Sequence, residues 1–480
     1  MASTFKFHSQ INEVVPWQAQ YTFPTQSTKV TKQCVKLPPK NGGSFIPGNI
    51  IRIEFPSDQY LNCLNSVFQF DMTWSTATGN PRLQRGGAHN VIKRLRVIYG
   101  SLVLEDIQEY KTLVRILTES GVQQDYMTST GSILDGMFET MVLSLEADNL
   151  KAALTQDGTS ATANTALLNT TNLGPDLVAN LIRPSQSAAT DLANGTNPRT
   201  YCLNLLSGIL TCKKLIPLKW MAAQLAIEIT LADPNDAALF SVPTPSYTLT
   251  NVNFISEMLE FDSSYDIAFF DGLTNGGVPL KFDSWHFHSF SAANQTNILQ
   301  IHERARSVKT CLAVSRSTNA WNGLEDSDRF FHALGQTYTA GVINSGTEQI
   351  AAINDFQFRV GGRYYPSQPV KAVNGGAEAM VELMKALNSL GDYTKASNIT
   401  YKNWTSAQGG GQGSKFIMAA EFENTDALPD TIAGINAEEQ SDIALSVNLS
   451  GAPVGKKFDI FMHYDAMLIV MPNNQVSLVQ

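Results

Sequence analysis

The sequence predicts a mainly β protein made of two consecutive β-sandwiches, with short helices in the loops. Three observations predict this: apolar residues alternate with polar ones in many short segments, long polar stretches separate these segments, and one local pattern recurs about half a chain later. Alternation with a period of two is typical of strands that place one face on a core and the other toward water. Many such strands with little intervening helix favour sandwiches over a doubly wound α/β fold.

The alternating segments are predicted strands, and they occur in both halves of the chain. In the first of them, Ile51, Ile53 and Phe55 alternate with charged residues, so the apolar side chains share one face. The same alternation predicts strands at 68–74, 225–231, 308–314, 356–360, 443–449 and 460–464.

Two amphipathic segments, 103–119 and 376–388, are predicted to be helices because their apolar residues share one helical face. Each follows a strand that ends on glycine, in RLRVIYGS and FQFRVGGRYYP respectively. Glycine supplies the positive φ that a tight turn after a strand usually needs. The two strand–glycine–helix units lie about 260 residues apart, roughly half the chain, and therefore indicate an internal repeat of a large unit.

Composition predicts where the two sandwiches begin and end. The junction is placed at SVPTPSYT, just after residue 240, because its prolines and small residues suit a connection. The stretch at about 155–200 is rich in Thr, Ala, Asn and Ser and is predicted to be a long loop in the first sandwich. The predicted divisions are an N-terminal arm at 1–25, the first sandwich at 26–240, the second at 241–472 and a C-terminal tail at 473–480.

The composition argues against several classes of function. A formal charge of -9 disfavours nucleic-acid binding, which needs a surplus of Lys and Arg. The five cysteines are scattered without a CxxC pair, which indicates reduced thiols in a cytoplasmic or nuclear protein. The N-terminal stretch has no apolar h-region, and no run approaches the ~18 apolar residues that span a bilayer.

No motif identifies a catalytic, cofactor-binding or metal site, and we predict none. GGGQGSK at 409–415 differs from a phosphate loop, which ends in Gly-Lys-Ser/Thr and follows a strand. His286 and His288 share one face of a predicted strand, but no further His or Cys has the spacing that zinc requires. A solvent-facing or interface-facing histidine pair is the favoured interpretation.

Two acidic clusters could in principle bind a hard cation such as calcium. Neither follows the twelve-residue calcium-loop pattern, so capped turns and solvated loops are favoured instead. Paired carboxylates for glycoside hydrolysis are not distinguished among the 43 acidic residues. The two clusters are Asp262, Asp266 and Asp271, and Glu325, Asp326 and Asp328.

The most basic segment contains Lys93, Arg94 and Arg96. A strand divides these three side chains between its two faces, which is a poor arrangement for a binding stripe. Salt bridges between subunits or a solvated face are therefore favoured over contact with DNA. The sequence also has no GxSxG or HExxH motif, so the search for catalytic signatures finds nothing.

Four segments resemble, in the right order, parts of double jelly-roll major capsid proteins. VIKRLRVIYGSLVLEDIQEYKTL is similar to the strand, glycine turn and helix of the first jelly roll, and RTYCLNLLSGILTCKKLIPLKWMAAQLAIEITLADPNDA to the segment closing it. YTLTNVNFISEMLEFDSSYD resembles the start of the second roll, and INDFQFRVGGRYYPSQPV with AEAMVELMKAL resembles its matching element. The resemblance spans about 50 to 473 and is closest to polinton-like viruses and virophages, within the lineage of adenovirus hexon.

The resemblance implies a specific fold and role. The implied fold is a double jelly roll, two consecutive eight-stranded jelly-roll β-sandwiches with short helices in the loops. The implied role is structural and without enzyme activity or cofactor: homotrimers of pseudo-hexagonal outline tile the icosahedral capsid of a double-stranded DNA virus. Implied partners are further copies and penton and minor or cement capsid proteins, and the shell encloses either an internal membrane or the genome directly. The chain is expected in the virion, after assembly in the host cytoplasm or nucleus.

One alternative stays open at this point. Jelly-roll sandwiches also occur in carbohydrate-binding proteins and glycan-active enzymes, because a fold does not determine its function. Such a protein needs a groove of aromatic residues with paired acids, and sugar binding by the isolated chain would favour it.

Overall fold

A computed structural model describes the chain in sections, and these include most of the predicted strands. The predicted arm and nearly all of the predicted loop at 155–200 lie outside the described residues. The described residues are 29–75, 82–83, 86–122, 126, 130–136, 198–234, 238–239, 246–274, 276–317, 353–391, 397, 399, 404, 415–423, 432–438, 443–451, 456–472 and 475–480.

The first half of the chain folds into a two-sheet sandwich. One sheet has the strand order β1-β11-β4-β8, with β2 added to β11, and the other has the order β3-β9-β6-β7. A short two-stranded ribbon, β5 with β10, lies apart from them. The strands are β1 Val30–Leu37, β2 Ser44–Phe45, β3 Ile50–Glu54, β4 Tyr60–Ser75, β5 Arg82–Leu83, β6 Ile92–Tyr99, β7 Leu102–Gln108, β8 Arg199–Leu203, β9 Leu225–Leu231, β10 Ala238–Leu239 and β11 Ser246–Phe261.

The second half forms another sandwich of the same kind. Its sheets have the orders β12-β19-β14-β17, with β20 added to β19, and β13-β18-β15-β16. The strands are β12 Val278–Ala292, β13 Thr296–Ile301, β14 Val308–Ser317, β15 Ile353–Val360, β16 Arg363–Lys371, β17 Met418–Glu421, β18 Ile443–Leu449, β19 Lys456–Val470 and β20 Val476–Val479.

The two sandwiches have identical connectivity. When the eight principal strands of each are counted in chain order, one sheet runs 1-8-3-6 and the other 2-7-4-5 in both halves. All of these neighbours pair antiparallel, as two interlocking Greek keys require. The predicted double jelly roll and its internal repeat are therefore confirmed.

Four α-helices of the described residues lie outside the sheets: α1 Tyr110–Gly121, α2 Thr130–Leu134, α3 Ser263–Thr274 and α4 Ala377–Ala386. Two short 3₁₀ helices, Gly87–Val91 and Leu218–Trp220, accompany them. The helix predicted at 376–388 is thus present. The helix predicted at 103–119 is wrong in its first part, because strand β7 pairs with β6 there and α1 begins at Tyr110. The spacing of Leu104 and Ile107 is compatible with the periodicity of a helix and with that of a strand. The positive φ of Gly100 favours a tight turn, and therefore a hairpin. In both rolls the repeated unit is accordingly a hairpin followed by a helix.

Strand β11 belongs to the first roll. It pairs along most of its length with β1 and β4, and its last residue, Phe261, is opposite Val30. The first roll therefore continues to Phe261, which differs from the predicted division after residue 240. The prolines of SVPTPSYT and the resemblance of the following segment to the start of a second roll place residues 246–261 in the second roll, because neither signal shows which strands β11 pairs with. The stretch predicted as a C-terminal tail also supplies β20.

Aromatic and branched residues fill both sandwiches. Phe55 and Phe254 meet edge to face at 5.3 Å in the first, and Phe358 and Phe422 do so at 5.9 Å in the second. Each such side chain stabilises the fold by roughly 1.5–3 kcal/mol through burial. Across the described residues, no helix has both the length and the apolar character needed to cross a membrane.

Candidate functional site

The two histidines singled out in the sequence face a buried carboxylate. His286 Nδ1 lies 3.0 Å from Glu303 Oε1, and His288 Nε2 lies 3.4 Å from Glu303 Oε2. Burial raises the pKa of Glu303, but hydrogen bonds from both histidines outweigh it, so the pKa lies below its ordinary value. Within the described residues, no group of three or more His, Cys, Asp or Glu side chains could hold a metal ion. This cluster is an electrostatic contact between β12 and the loop before β14.

The first acidic cluster lies on and beside helix α3. Asp262 accepts a hydrogen bond of 2.8 Å from the N–H of Ser263, as a capping residue does. Asp266 accepts one of 3.0 Å from the hydroxyl of Tyr60 and pairs with Lys219 Nζ at 2.6 Å. The segment predicted as turns and loops is therefore a helix. The second acidic cluster, at 325–328, and residues 409–414 of the glycine-rich segment lie outside the described residues.

The basic segment forms ion pairs within its own sheet. Arg94 donates from Nε to Asp106 Oδ1 at 2.6 Å across β6 and β7. Arg96 pairs with Glu228 on β9. Lys93 is exposed, at an irregularity in the pairing of β6 with β9. The two arginines thus form their ion pairs within the chain. The sequence pattern instead favours salt bridges between subunits or a solvated face for this segment.

A different set of polar residues, which we call the inter-roll junction, connects the two sandwiches. Its first element is Glu105 on β7, which is 1% exposed. The carboxylate accepts hydrogen bonds from Ser284 Oγ of the second roll at 2.6 Å and from the N–H of Gly208 at 2.8 Å. Ser207 Oγ donates a further one. Burial raises the pKa of Glu105 even though these donors oppose the shift.

The second element of the junction is Arg316 on β14, which is 7% exposed. Its Nη1 donates to Glu109 Oε2 and Thr112 Oγ1 of the first roll, both at 3.0 Å. The same nitrogen lies 2.8 Å from Oδ2 of Asp459 on β19. Burial lowers the pKa of Arg316, but Asp459 and Glu109 raise it by more. A buried cation is stabilised here by carboxylates from both rolls.

The third element is helix α1 itself. Lys415, just before β17, pairs with Glu119 of α1 at 2.5 Å, and their side chains are 1% and 2% exposed. Arg115 Nε lies 3.9 Å from the other oxygen of that carboxylate. Phe416 beside Lys415 packs on Trp404 at 4.7 Å. The polar face of α1 therefore packs against the second roll and is not exposed to solvent.

Close backbone approach completes the junction. A Cβ atom built on Gly208 would lie 1.8 Å from the carbonyl oxygen of Asp283 on β12. Only glycine fits at this point, because any side chain would force the two rolls apart. Nearby, Cys212 Sγ lies 3.7 Å from the carbonyl oxygen of Lys281. Hydrogen bonds, ion pairs and shape together hold the rolls in one relative orientation.

Sequence reasoning did not single out the junction residues. The available signal is a charge inside an apolar stretch: Glu105 in LVLEDI and Arg316 in CLAVSRS. Such charges are rarely buried unless they are paired. The sequence shows that a partner is needed, but the partners lie about 100 to 200 residues away and are brought close only by the fold.

Comparisons with known proteins agree with this architecture. No protein-family model matches the chain. No curated protein matches it either. Among solved structures, the Faustovirus major capsid protein aligns with a TM-score of 0.58 at 9% identity, over 95% of this chain and 93% of that chain. A chain of the PBCV-1 virus capsid aligns with a TM-score of 0.51 at 10% identity, over 96% of this chain and 98% of that chain.

A chain from the cryo-EM structure of the Sputnik virophage aligns with a TM-score of 0.50 at 11% identity, over 98% of this chain and 92% of that chain. Because these three alignments cover between 92% and 98% of each chain, both sandwiches and their arrangement are shared. The class of protein that the fold defines is thus the double jelly roll. More particularly, the chain has the fold found in the major capsid proteins of large DNA viruses and virophages.

Proposed function

We propose that this chain is a major capsid protein, a structural protein that self-assembles into the shell of a double-stranded DNA virus. The observation that carries the proposal is the pair of identically connected rolls locked together by the inter-roll junction. A catalytic or binding role would not require a second copy of the roll in a fixed orientation. A subunit that tiles a closed shell does require the two rolls in a fixed orientation, because its outline must be the same in every copy.

The geometry accounts for the expected capsomer. Each chain contributes two similar sandwiches, so a homotrimer contains six and has a pseudo-hexagonal outline. Hexagonal tiles can cover the faces of an icosahedron, while five-fold vertices require a different protein. Penton proteins and minor or cement proteins are therefore the further partners in this proposal, and the virion is the location.

Exposed strand edges support self-association. Strands β1 and β16 are edge strands of their sheets, and most of their residues are exposed. Unpaired backbone groups at such edges readily pair with another chain unless they are protected. The charged fraction of 16% is low, as suits a surface that is covered by neighbouring copies. Individually weak contacts suffice because each trimer makes many of them.

The test is negative-stain electron microscopy of the purified full chain, with the mass measured by light scattering. We expect pseudo-hexagonal particles with three times the mass of one chain, or curved fragments of a shell. A monomer that persists at high protein concentration and in the presence of the vertex protein would contradict the proposal. Binding of that monomer to a glycan array would support a carbohydrate-binding role instead.

A further inference from the structure

A lysine and an aspartate of the second roll meet on two neighbouring strands. Asp465 on β19 lies opposite Asp283 on β12, and Lys281 stands two residues before Asp283, on the same face of that strand. Lys281 Nζ lies 3.0 Å from Asp465 Oδ1. The side chain of Asp465 has no solvent exposure, and that of Lys281 is 17% exposed. The two groups are therefore largely shielded from water.

The approach of Lys281 to Asp465 differs from that of an ordinary ion pair. Oδ1 of Asp465 accepts no hydrogen bond from the described residues, although Nζ lies at hydrogen-bonding distance. The nitrogen thus reaches the carboxyl group outside the direction in which a hydrogen bond forms. With a C–O bond of about 1.23 Å, Nζ is at most about 4.2 Å from Cγ. A small side-chain rotation brings the two atoms to the roughly 3–3.5 Å from which a bond can form.

Asp283 is placed to move protons to and from Asp465. The carboxyl groups of these cross-strand neighbours lie close enough to share a proton. Burial and this neighbouring carboxyl group raise the pKa of Asp465 by more than the nearby cations lower it. The side chain of Asp283 is 40% exposed, so it can exchange protons with solvent. Protonation matters because a neutral carboxyl group is attacked by an amine far more readily than a carboxylate is.

Lys309 and Ser307 complete the surroundings of the Asp465 carboxyl group. Lys309 Nζ pairs with Glu423 at 3.1 Å and lies 3.8 Å from Asp465 Oδ1. Burial lowers the pKa of Lys309, but the surrounding carboxylates raise it by more, so Lys309 stays an ammonium ion. Ser307 Oγ donates a hydrogen bond of 2.8 Å to Asp465 Oδ2. This cation and this hydroxyl can stabilise the negative charge that develops on the oxygens when Cγ is attacked.

We propose that Lys281 and Asp465 form an intramolecular isopeptide bond, an amide between Nζ and Cγ, once the second roll has folded. One proton of the Lys281 ammonium group passes through Asp283 to Oδ1 of Asp465. Nζ then bonds to Cγ, the bond from Cγ to Oδ1 breaks, and the oxygen leaves as water with a second proton from Nζ. An ammonium–carboxylate pair has the same atoms and electrons as an amide and water, so no further reagent is needed. The proposal does not depend on the capsid function.

Peptide mapping of the full chain tests the proposal. The purified protein is incubated until its peptide pattern no longer changes, and is then denatured, digested with trypsin and studied by mass spectrometry. We expect a branched peptide in which Lys281, left uncleaved, is joined to the segment containing Asp465, with the mass of one water molecule missing. Lys219 and Asp266 provide an internal control, because they form a hydrogen-bonded pair at 2.6 Å in which Lys219 is 43% exposed. These two residues should stay unlinked.

Two variants assign the roles of the residues. Lys281→Arg keeps the positive charge but lacks a nucleophilic amine, so the branched peptide should disappear. Asp283→Asn keeps the size of the side chain without its acid, and should slow the formation of the branched peptide by about 100-fold or more. Lys219→Arg is the matched control and should leave the yield unchanged.

Several results would overturn the proposal. The first is a parent protein that gives only linear peptides after incubation. A branch at Lys309 would assign the wrong nucleophile, and a linear peptide around Asp465 that has lost water would indicate a succinimide. A branched peptide that forms at the parent rate in Asp283→Asn would contradict the role of Asp283.

Discussion

Arg316 of the second roll donates a hydrogen bond of 3.0 Å to Glu109 of the first roll, at the residue where β7 turns into α1. Glu109 has a positive φ of 48°, which places its side chain at the start of the helix and toward the other roll. The same guanidinium binds Asp459, whose side chain has no solvent exposure. One buried cation thus connects the hairpin–helix unit of the first roll to the β12-β19-β14-β17 sheet of the second.

Removing this cation should be costly. In the variant Arg316→Gln, Asp459 keeps its burial but loses its ion-pair partner from β14, and we expect destabilisation by about 3–5 kcal/mol. Urea unfolding measures the change. The control is Arg306→Gln, which breaks an ion pair with Glu438 whose side chains are 58% and 54% exposed. That variant should change stability by less than about 1 kcal/mol. Equal effects of the two substitutions would contradict the assigned role of Arg316.

The close approach of the rolls at Gly208 leads to a steric prediction. The methyl group of Gly208→Ala would overlap the carbonyl oxygen of Asp283, so one backbone must move. Such overpacking costs about 1–3 kcal/mol, and the thermal unfolding midpoint should fall accordingly. Gly43→Ala is the matched control because no atom lies within 4 Å of a Cβ at that position. A stable Gly208→Ala variant would show that the rolls are not in contact there.

Glu105 should make the stability of the protein depend on pH in a definite direction. Its pKa in the folded protein lies above the ordinary value of 4.5, so the folded state binds the proton more tightly than the unfolded state. The contribution of Glu105 to stability is therefore largest below pH 4.5 and declines as the pH rises through the folded pKa. Glu105→Gln removes this titration. Relative to the parent protein, the variant should gain stability between pH 4 and pH 7 in urea unfolding.

Glu303 should have the opposite dependence on pH. Its pKa lies below the ordinary value of 4.5, so its stabilising contribution is present above pH 4.5 and is lost as the pH falls through the folded pKa. At pH 6 we expect Glu303→Gln to cost about 2–3 kcal/mol, because charge-assisted hydrogen bonds are lost. The cost should shrink toward pH 3. Glu438→Gln, at an exposed position, serves as the control. A cost that stays constant with pH would argue against the contact with His286 and His288.

Much of the fold could be predicted from local patterns. The alternation of Ile51, Ile53 and Phe55 identified β3 because the period of side chains along a strand is independent of what the strand packs against. Where two periods fit, prediction failed: Leu104 and Ile107 suit a helix as well as a strand, and only pairing with β6 decides between them. The predicted division after residue 240 differs from the structure for a related reason. The pairing of β11 with β1 joins residues more than 200 positions apart.

The candidate site could not be predicted to the same extent. No catalytic or metal site was expected, and the residues that connect the rolls were not singled out. Glu105, Ser284 and Gly208 belong to three separate segments, and nothing in any one segment reveals the other two. A hydrogen-bond partner is a matter of distance in space, and sequence spacing carries that information only within a helix or along a strand.

By itself, the sequence determined that this protein is mainly β, that a hairpin–helix pattern occurs twice, and that many short strands are available to form sandwiches. These properties follow from side-chain periodicity and turn chemistry, which act over a few residues. The tertiary structure alone decided which strands pair, where the first roll ends, and that the buried ion pairs of Arg316 and the buried hydrogen bonds of Glu105 connect the two rolls. Those outcomes depend on contacts between distant segments, whose free energy is gained only after the chain has folded.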